Sequence, residues 1–480
     1  MLFTDPLFLF FFLPLFLAGF AVLTRLDGGR YRTPLKLFVL LSTLVFYGWR
    51  HRPAWWLPFV AAVAFDFLWS KLLVSLSGTR ARRLVLAASI VQNLALLFVY
   101  KYLSWILGFD AWDGWGPAER LRAFWLDENG LQRYEMPAGI SFYLFESMSY
   151  VIDVYRRAVV PPRNPLDFFS FIAMFPRMIA GPIVRYAQVV GQMAAWPGMH
   201  VRRGLPLFML GFVYKALLAD SCALFTAPAF DVPSPGALGA WLGVVCYAFQ
   251  LYFDFAGYSL MAIGLGHCIG FHFPTNFANP YAAASITDFW RRWHISLSTW
   301  LRDYLYVPLG GNRKGPLRRD LNLLATMALG GLWHGANATF LVWGIFHGTL
   351  LVAERSTAGV RERLPPLLRR ALTFGLVLAG WTVFRADDLA HAGRVLAALA
   401  GAGGLASEAA LGALARHPFS AAWLVPAAAY ALWWCPRLAT APEDRERWSP
   451  LAEAGIGALF VLAVLLTLTS RLVPFLYFQF

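Results

Sequence analysis

Charged residues are scarce in this chain, where they make up 14% of 480 residues. A soluble domain carries roughly 25% charged residues, so a chain with so few cannot cover a water-exposed surface of this size. Cysteine is scarce too: the four cysteines lie within or beside apolar runs and lack the spacing of metal ligands. We therefore expect small buried hydrophobic side chains at Cys222, Cys246, Cys268 and Cys435.

Several catalytic and binding signatures are missing from the sequence. No serine lies in a G-x-S-x-G nucleophile elbow, and no glycine-rich phosphate loop of the P-loop or dinucleotide type occurs. The histidines have neither HxxH nor HExxH spacing, so we expect no metal site. The net charge of +14 resides in basic clusters between apolar runs, as topology signals do. We therefore expect no nucleic-acid partner.

Long apolar runs are what the sequence has in abundance, since 59% of its residues are hydrophobic. Runs of about twenty residues predict transmembrane helices. The first run, Leu7–Leu23, lacks the basic region and the cleavage site of a signal peptide, so we expect a retained span. The fold class is an all-α polytopic membrane protein. The predicted spans are 7–24, 35–49, 55–75, 84–107, 137–155, 204–222, 237–265, 320–335, 337–353, 371–386, 420–436 and 452–472.

The distribution of basic residues predicts the orientation of these spans. The basic stretches Arg25–Lys36, Lys71–Arg83 and Arg156–Arg163 alternate with other connections, and one of those, Asp110–Glu135, carries six acidic residues against three basic ones. Basic loops stay in the cytoplasm. We therefore expect a periplasmic N-terminus, membrane lipids as surroundings, and one membrane domain over residues 1–480, with core motifs in 137–353 and C-terminal helices in 371–480.

His334 lies inside an apolar run, where an ionisable side chain is costly and indicates a function by default. The run Leu321–Ala353 is too long for one perpendicular span and too short for two full ones. Because its middle, 330–335, contains three glycines, we predict two short or broken helices that meet at His334. There a neutral imidazole is a competent general base, with Trp333 shaping the cavity and the glycines admitting substrate. The alternative is a packing histidine bonded to backbone.

Segment 286–304 has the pattern of an amphipathic helix, with aromatic residues and leucines on one face and arginines with Asp288 on the other. We predict a helix lying at the cytoplasmic membrane interface. His294 falls near the border of the two faces. It is either an interfacial histidine beside lipid headgroups or a residue at the mouth of a reaction chamber. The basic surface 291–319 either holds an anionic donor or only determines topology.

Three acidic residues, Asp66, Glu146 and Asp254, lie within apolar runs. Each must face a partner or water rather than lipid. Ion pairs between helices, to Arg177 or to the arginines near 291, are one explanation, and the proton relay of a transporter is the other.

Two further segments depart from regular spans. Segment 165–185 carries two prolines, a glycine and an arginine within eight residues near its end, which predicts a re-entrant or interfacial piece. The Gly- and Ala-rich segment 397–416 predicts a loop or a surface helix outside the core.

Together, these stretches resemble the membrane-bound O-acyltransferase (MBOAT) family, and within it a bacterial branch of the alginate O-acetyltransferase type. The resemblance covers most of the chain up to about residue 390, whereas 390–450 match no motif. The stretches that carry it are Pro137–Tyr155, Phe175–Tyr186, Gln250–Tyr281, Ser285–Lys314, Gly330–Gly335 and Tyr477–Phe480.

The resemblance implies a ring of about 11–12 tilted transmembrane helices, with interfacial and re-entrant helices, around a central tunnel. It implies acyl transfer to a hydroxyl, with His334 and His294 as catalytic residues. It implies a cytoplasmic donor, acetyl-CoA or another acyl thioester, with no bound cofactor. Periplasmic acetyltransferase or polysaccharide-export proteins would be the partners, at a bacterial inner membrane. The substrate-binding candidates are Trp333, Trp290, Arg291, Asp288, Arg177 and Asp254.

Three alternatives stay open at this point. The first is D-alanyl transfer to teichoic acids from a carrier-protein thioester. The second is a secondary transporter or lipid flippase that uses Asp66, Glu146 and Asp254. The third is a structural scaffold for polysaccharide export, in which His334 has no chemical role.

Overall fold

The computed structural model describes residues 1–27, 32–49, 56–108, 115–126, 136–196, 198–434, 448–469 and 475–476. Within these ranges the chain is helical and forms no β-strand, which confirms the predicted all-α class. Most of the acidic connection 110–135, Cys435 and the motif 477–480 lie outside the described residues. The ring of helices around a tunnel stays a prediction.

The chain divides into two compact units, Met1–Val201 with Gly266–Phe273 and Arg202–Leu265 with Pro274–Phe480. The single membrane domain over 1–480 stays a prediction. The described helices of the first unit are α1 Phe8–Leu26, α2 Arg32–Gly48, α3 Trp56–Ser75, α4 Thr79–Lys101, α5 Leu103–Leu107, α6 Gly116–Trp125, α7 Ile140–Tyr155, α8 Pro165–Ile172, α9 Phe175–Met178 and α10 Tyr186–Ala195.

The second unit contains the helices that build the candidate site. It begins with the long helices α11 and α12, which are followed by short helices and then by a helical hairpin. The described α-helices are α11 Val201–Phe230, α12 Gly236–Cys268, α13 Ile286–Arg292, α14 Ile295–Leu301, α15 Gly315–His334, α16 Ala338–Ser356, α17 Ala358–Arg361, α18 Pro366–Arg385, α19 Leu389–Leu399, α20 Glu408–Arg416, α21 Pro418–Leu432 and α22 Pro450–Thr469. A 3₁₀ turn, Pro280–Ala282, precedes α13, and a π-helical turn, Arg302–Tyr306, continues α14.

Seven of the described helices are long and apolar enough to cross a membrane, namely α1, α3, α4, α11, α12, α18 and α22. Each of the twelve predicted spans overlaps a described helix, and 84–107 overlaps both α4 and α5. Helix length is decisive here, because a span of hydrocarbon needs about twenty residues at 1.5 Å per residue. The predicted burial of the cysteines is confirmed for Cys222, Cys246 and Cys268, which are free and buried.

Asp66 shows how a buried acid is accommodated in the first unit. It is fully buried and accepts hydrogen bonds from Ser89 at 2.7 Å, Asn93 at 2.9 and 3.0 Å, and Ser147 at 2.5 Å. Among the residues that the structure describes, no cationic side chain pairs with it. The predicted ion pair is therefore wrong for Asp66, whose oxygens are satisfied by hydroxyl and amide donors instead.

Segment 165–185 is broken, as predicted. Helix α8 starts after Asn164, whose side chain accepts the Leu166 amide at 2.9 Å, and ends before Ala173 leaves helical geometry at ψ 61°. The single turn α9 follows with Pro176 inside it, and residues 182–185 have no regular structure. Proline removes a backbone donor and disfavours a helix in the residue before it. That segment 165–185 is re-entrant or interfacial stays a prediction.

The segment 397–416 is partly helical. Helix α19 ends at Leu399, turns occupy the following residues, and α20 starts after Ser407, whose hydroxyl accepts the Ala410 amide at 3.3 Å. Only Ala410 and Ala413 of α20 are buried. This agrees with the predicted loop or surface helix.

Candidate active site

His334 is the last residue of α15, and α16 begins four residues later. The chain becomes extended at Gly335, and the Asn337 side chain caps α16 by accepting the Thr339 amide at 3.1 Å. The helical break predicted at the histidine is thus confirmed. The two helices are longer than predicted, however, because α15 starts at Gly315 and contains 20 residues.

The glycines around His334 differ in their surroundings, since two lie at a helix–helix contact and one lines a cavity. A Cβ on Gly331 would lie 2.2 Å from the Phe340 carbonyl oxygen, and one on Gly335 would lie 2.0 Å from the Phe340 ring. These two glycines therefore allow α15 and α16 to pack closely, rather than admitting a substrate as predicted. Gly330 alone of the three lines a cavity.

Aromatic rings surround the His334 imidazole, which is 6% exposed. Its centroid lies 5.0 Å from Trp333, 5.2 Å from Trp343 and 5.3 Å from Phe384, with steep interplanar angles of 76° to 89°. Edge-to-face contacts of this kind are favourable and hold the rings in one orientation. The imidazole is therefore fixed in place at the end of a rigid helix.

His294 corrects the prediction for segment 286–304. The helix is not continuous, because α13 ends at Arg292 and α14 starts at Ile295. His294 connects them in a left-handed conformation with φ 42°, which is uncommon outside glycine. Backbone bonds from Ala278 to Arg292 at 2.9 Å and from Ile295 to Asn276 at 2.9 Å hold this break.

The His294 ring lies in the core, not at lipid headgroups. It is 1% exposed and packs edge-on against Phe255 at 4.6 Å between ring centroids. Burial lowers the pKa of His294 to about 3, so the ring is neutral at physiological pH. The predicted division of faces holds across the break: Phe289, Trp293, Leu297, Trp300, Leu301 and Tyr304 are buried, while Arg291 and Arg302 are exposed.

Trp333 lies between the two histidines. Its ring centroid is 5.0 Å from that of His334 and 6.2 Å from that of His294. The fold therefore brings together three of the predicted site residues, although His294 and His334 lie forty residues apart in sequence.

A cavity with a volume of about 460 Å³ lies beside His334. Helices α13 to α16 form most of its wall, whose apolar residues include Leu301, Met327, Gly330 and Trp343. Cavities of several hundred Å³ with a few placed polar groups are typical of binding sites for small molecules. His334 is the imidazole that lines this cavity.

Three arginines line the same cavity. Arg302 forms an ion pair with Asp303 at 2.7 Å, and Arg355 forms one with Asp320 at 2.7 Å. Arg291 has no hydrogen bond or ion pair within the described part of the chain. A guanidinium without a protein partner is free to bind carboxylate or phosphate oxygens.

The other substrate-binding candidates lie in different surroundings. Trp290 lines the cavity together with Arg291. Asp288 instead pairs with Arg292 at 2.8 Å and accepts the Ala284 amide at 3.3 Å within its own turn. Their assignment to substrate binding stays a prediction.

Arg177 and Glu146 form a buried ion pair in the first unit, with exposures of 1% and 2%. Glu146 also accepts the Val184 amide at 2.9 Å, and the Arg177 guanidinium lies 4.7 Å from the centroid of Phe171. For Glu146 the predicted helix-to-helix pair with Arg177 is thus confirmed. Substrate binding by Arg177 stays a prediction.

Asp254 pairs with Lys215, which was not among the partners predicted from the sequence. Its carboxylate lies 2.8 Å from Lys215 and accepts the Leu476 amide at 2.8 Å. The predicted partners, Arg177 or the arginines near 291, are wrong for this acid. The hydrogen bond to Leu476 holds residues 475–476 in place. There Phe475 packs 5.9 Å from Phe255 between ring centroids, and Phe255 in turn contacts His294.

A proline at 476 should loosen this attachment, because it removes the amide that Asp254 accepts. A hydrogen bond to a buried charged group contributes about 1.5–3 kcal/mol. Leu476→Ala keeps the amide and is the matched control. We expect Leu476→Pro to lower the free energy of unfolding by about that amount more than Leu476→Ala, measured by thermal denaturation in detergent. Equal losses in both variants would contradict the role of the amide.

Trp343, which lines the cavity, and His347, which packs against Trp343, were not predicted from the sequence. His347 is fully buried, 5.1 Å from Trp343 and 5.2 Å from Trp290 between ring centroids. Neither of its ring nitrogens has a hydrogen-bond partner among the described residues. The signal was available, since Trp343 and His347 are four residues apart on a helix and share a face.

The fold and site together define a polytopic membrane protein with a histidine-lined cavity suited to group transfer. A model of the membrane-bound O-acyltransferase (MBOAT) family matches residues 85–383. The chain is 43% identical over 410 residues to the probable alginate O-acetylase AlgI of Pseudomonas putida, covering 83% of this chain and 80% of the relative.

More distant relatives have related names. The chain is 32% identical to the peptidoglycan O-acetyltransferase of Helicobacter pylori, over 84% of this chain and 81% of the relative. It is 28% identical to the teichoic acid D-alanyltransferase of Bacillus subtilis, over 53% and 69%. The chain belongs to the MBOAT family. It is a multi-pass membrane O-acyltransferase.

Proposed function

We propose that this protein transfers an acetyl group from a cytoplasmic thioester to a hydroxyl group, as one step in the O-acetylation of an exported polysaccharide such as alginate. The observation that carries the proposal is His334, which lines a cavity together with Arg291, a guanidinium that has no partner among the described residues. A base and an anion-binding group at one cavity suit an acyl donor that carries phosphate. The names of the acetylating relatives support the acetyl group and the polymer.

In the proposed reaction His334 is the general base. The imidazole accepts the proton of the acceptor hydroxyl while the hydroxyl oxygen attacks the carbonyl carbon of the thioester. The carbonyl electron pair moves onto oxygen and returns as the carbon–sulfur bond breaks. The thiolate then takes the proton from the imidazolium, which restores the neutral base. His294 supports this step through Trp333, which contacts both rings.

The proposed donor is acetyl-CoA, held by its phosphates. Arg302 and Arg355 have carboxylate partners, whereas the Arg291 guanidinium is available to a ligand. Another acyl thioester, on a carrier protein, shares the phosphopantetheine arm. The basic surface 291–319 would serve either donor.

The proposed setting is the inner membrane of a bacterium, with the N-terminus in the periplasm. A cytoplasmic thioester cannot reach an exported polymer, so the acetyl group must cross the membrane within the protein. Periplasmic acetyltransferase or export proteins would then receive it. The relatives named alginate O-acetylase support a place in such a modification system.

The test is the acetyl content of the secreted polysaccharide from cells with and without the protein, measured by mass spectrometry. We expect acetyl esters only when the protein is present. Equal acetylation in both strains would contradict the proposal. A gain of D-alanyl esters on a teichoic acid would instead favour the carrier-protein alternative.

Replacing Arg291 by glutamine should raise the KM for acetyl-CoA about ten-fold, because one charge-assisted hydrogen bond contributes about 1.5–3 kcal/mol. The turnover number should change little, since Arg291 binds the donor away from the reacting atoms. Arg292→Gln is the matched control, because Arg292 pairs with Asp288 and does not line the cavity. An unchanged KM in Arg291→Gln, measured in reconstituted membranes, would remove Arg291 from donor binding.

A further inference from the structure

The cavity wall beside His334 contains a gap in the side chains of α15. Gly330 lies four residues before His334, so both occupy the same helical face, about 6 Å apart along the axis. Met327 lies almost one turn earlier, and all three residues line the cavity. One face of α15 thus presents to the cavity the flexible side chain of Met327, then Gly330, which has no side chain, and then the proposed base His334.

The space at Gly330 is closed by a single side chain. A Cβ built there would lie 3.0 Å from Leu301 Cδ1, with no other contact within 4 Å beyond its own helix. Gly331, by contrast, would place its Cβ 2.2 Å from a backbone oxygen of α16. Gly331 is therefore a packing glycine, whereas Gly330 faces the tip of a side chain that also lines the cavity.

The chemistry of acyl transfer fixes where the acyl chain must lie. The attacking oxygen is within hydrogen-bond distance of the base and about 3–3.5 Å from the carbonyl carbon. The carbons beyond the carbonyl therefore extend only a few ångströms from His334. The lining near that position is apolar: the Trp343 ring lies 5.2 Å from the imidazole between centroids, and Gly330, which faces Leu301, lies about one helical turn before His334.

We propose that Leu301, Gly330 and Met327 form the acyl-binding end of the cavity and limit the acyl chain to about two carbons. Leu301 against Gly330 acts as the end wall, and Met327 fills the space behind it. This inference rests on the proposed acyl transfer at His334 and adds the residues that select the acyl group. In a hydrophobic pocket one methylene changes selectivity by about 10- to 200-fold, so a wall of this kind can discriminate acetyl from longer chains.

The first test compares acetyl, propionyl and butyryl thioesters of N-acetylcysteamine, which contain the thioester portion common to coenzyme A and carrier proteins. Wild-type protein in membrane vesicles should prefer acetyl over butyryl. Leu301→Ala and Met327→Ala should raise butyryl transfer relative to acetyl at least about ten-fold. Gly330→Ala should lower acetyl transfer, because its methyl group pushes Leu301 into the cavity. An unchanged chain-length preference in both enlarging variants would overturn the inference.

A binding measurement keeps the inference testable if turnover fails. The probes are 2-oxoalkyl pantetheine thioethers with acyl-equivalent chains of two and four carbons, in which a methylene separates sulfur from the carbonyl and prevents transfer. Thermal stabilisation of the full-length protein in detergent should be larger for the short probe in wild type and for the long probe in Leu301→Ala. Chain-length-selective binding without acyl transfer would contradict the proposed acyl transfer at His334 and would still support the assignment of the acyl-binding end.

Two control variants separate acyl selection from packing. Leu329 is exposed on another face of α15, so Leu329→Ala should leave the preference unchanged. Gly331→Ala should lower stability through the clash with α16 without changing which chain length binds better. A shift of preference in either control that equals the shift in Leu301→Ala would show a general loosening of the hairpin, and the acyl-end assignment would then be wrong.

Discussion

Replacing His334 by alanine should abolish measurable polymer acetylation. General base catalysis contributes about 10²- to 10⁴-fold to a rate, and no other imidazole lines the cavity formed by the described residues. The measurement is the acetyl ester content of secreted polysaccharide from cells that express the variant at the wild-type level. We expect His334→Gln to behave in the same way, because the amide keeps the shape but not the basicity of the ring.

The matched control is His417→Ala, since His417 lies between α20 and α21 and does not line the cavity. Its acetylation should equal that of wild type. Intact acetylation in His334→Ala would instead favour the scaffold alternative. A transporter would depend more on Asp66, Glu146 and Asp254, but two of these acids are already engaged by Arg177 and Lys215.

Sequence reasoning located the hairpin at His334 because its signals are local. A run of fixed length with three central glycines cannot form one straight span, and the cap at Asn337 lies within the same stretch. The residues alone left a general base and a packing histidine as the two interpretations, and the family resemblance favoured the general base. What the sequence could not predict is which glycine lines the cavity, because that depends on where Phe340 packs.

The burial of His294 was not predictable from its own segment. A helical wheel assumes a continuous helix, and the break between α13 and α14 is held by Asn276 and Ala278 from an earlier loop. Once the backbone turns at His294, its ring no longer follows the angle of the wheel. The general division into aromatic and basic faces survived because it depends on hydrophobicity over the whole segment.

Pairing of the buried acids also required the fold. Lys215 precedes Asp254 by thirty-nine positions and lies on a different helix, so nothing in the local sequence connects them. The Glu146–Arg177 pair was foreseeable only as one of several bridges. His347 was missed although it lies in an apolar run, where an ionisable side chain indicates a function by default.

Replacing Arg177 by methionine should destabilise the protein by about 3–5 kcal/mol, because the loss of one partner leaves the Glu146 carboxylate buried without compensation. The Val184 amide still donates to Glu146, but one neutral donor does not replace a cation. Thermal unfolding in detergent measures the loss. Arg163→Met is the matched control, since Arg163 is exposed.

The double variant Glu146→Gln with Arg177→Met decides between a structural and a substrate-binding role. It removes both charges, so much of the lost stability should return. The double variant should therefore lose clearly less free energy of unfolding than the sum of the losses in the two single variants. If Arg177 bound substrate instead, Arg177→Met would unfold near the wild-type temperature and raise the KM, and Glu146→Gln would restore nothing. Recovery of stability without recovery of activity would assign both roles to Arg177, because the buried guanidinium would then be needed for more than its partner.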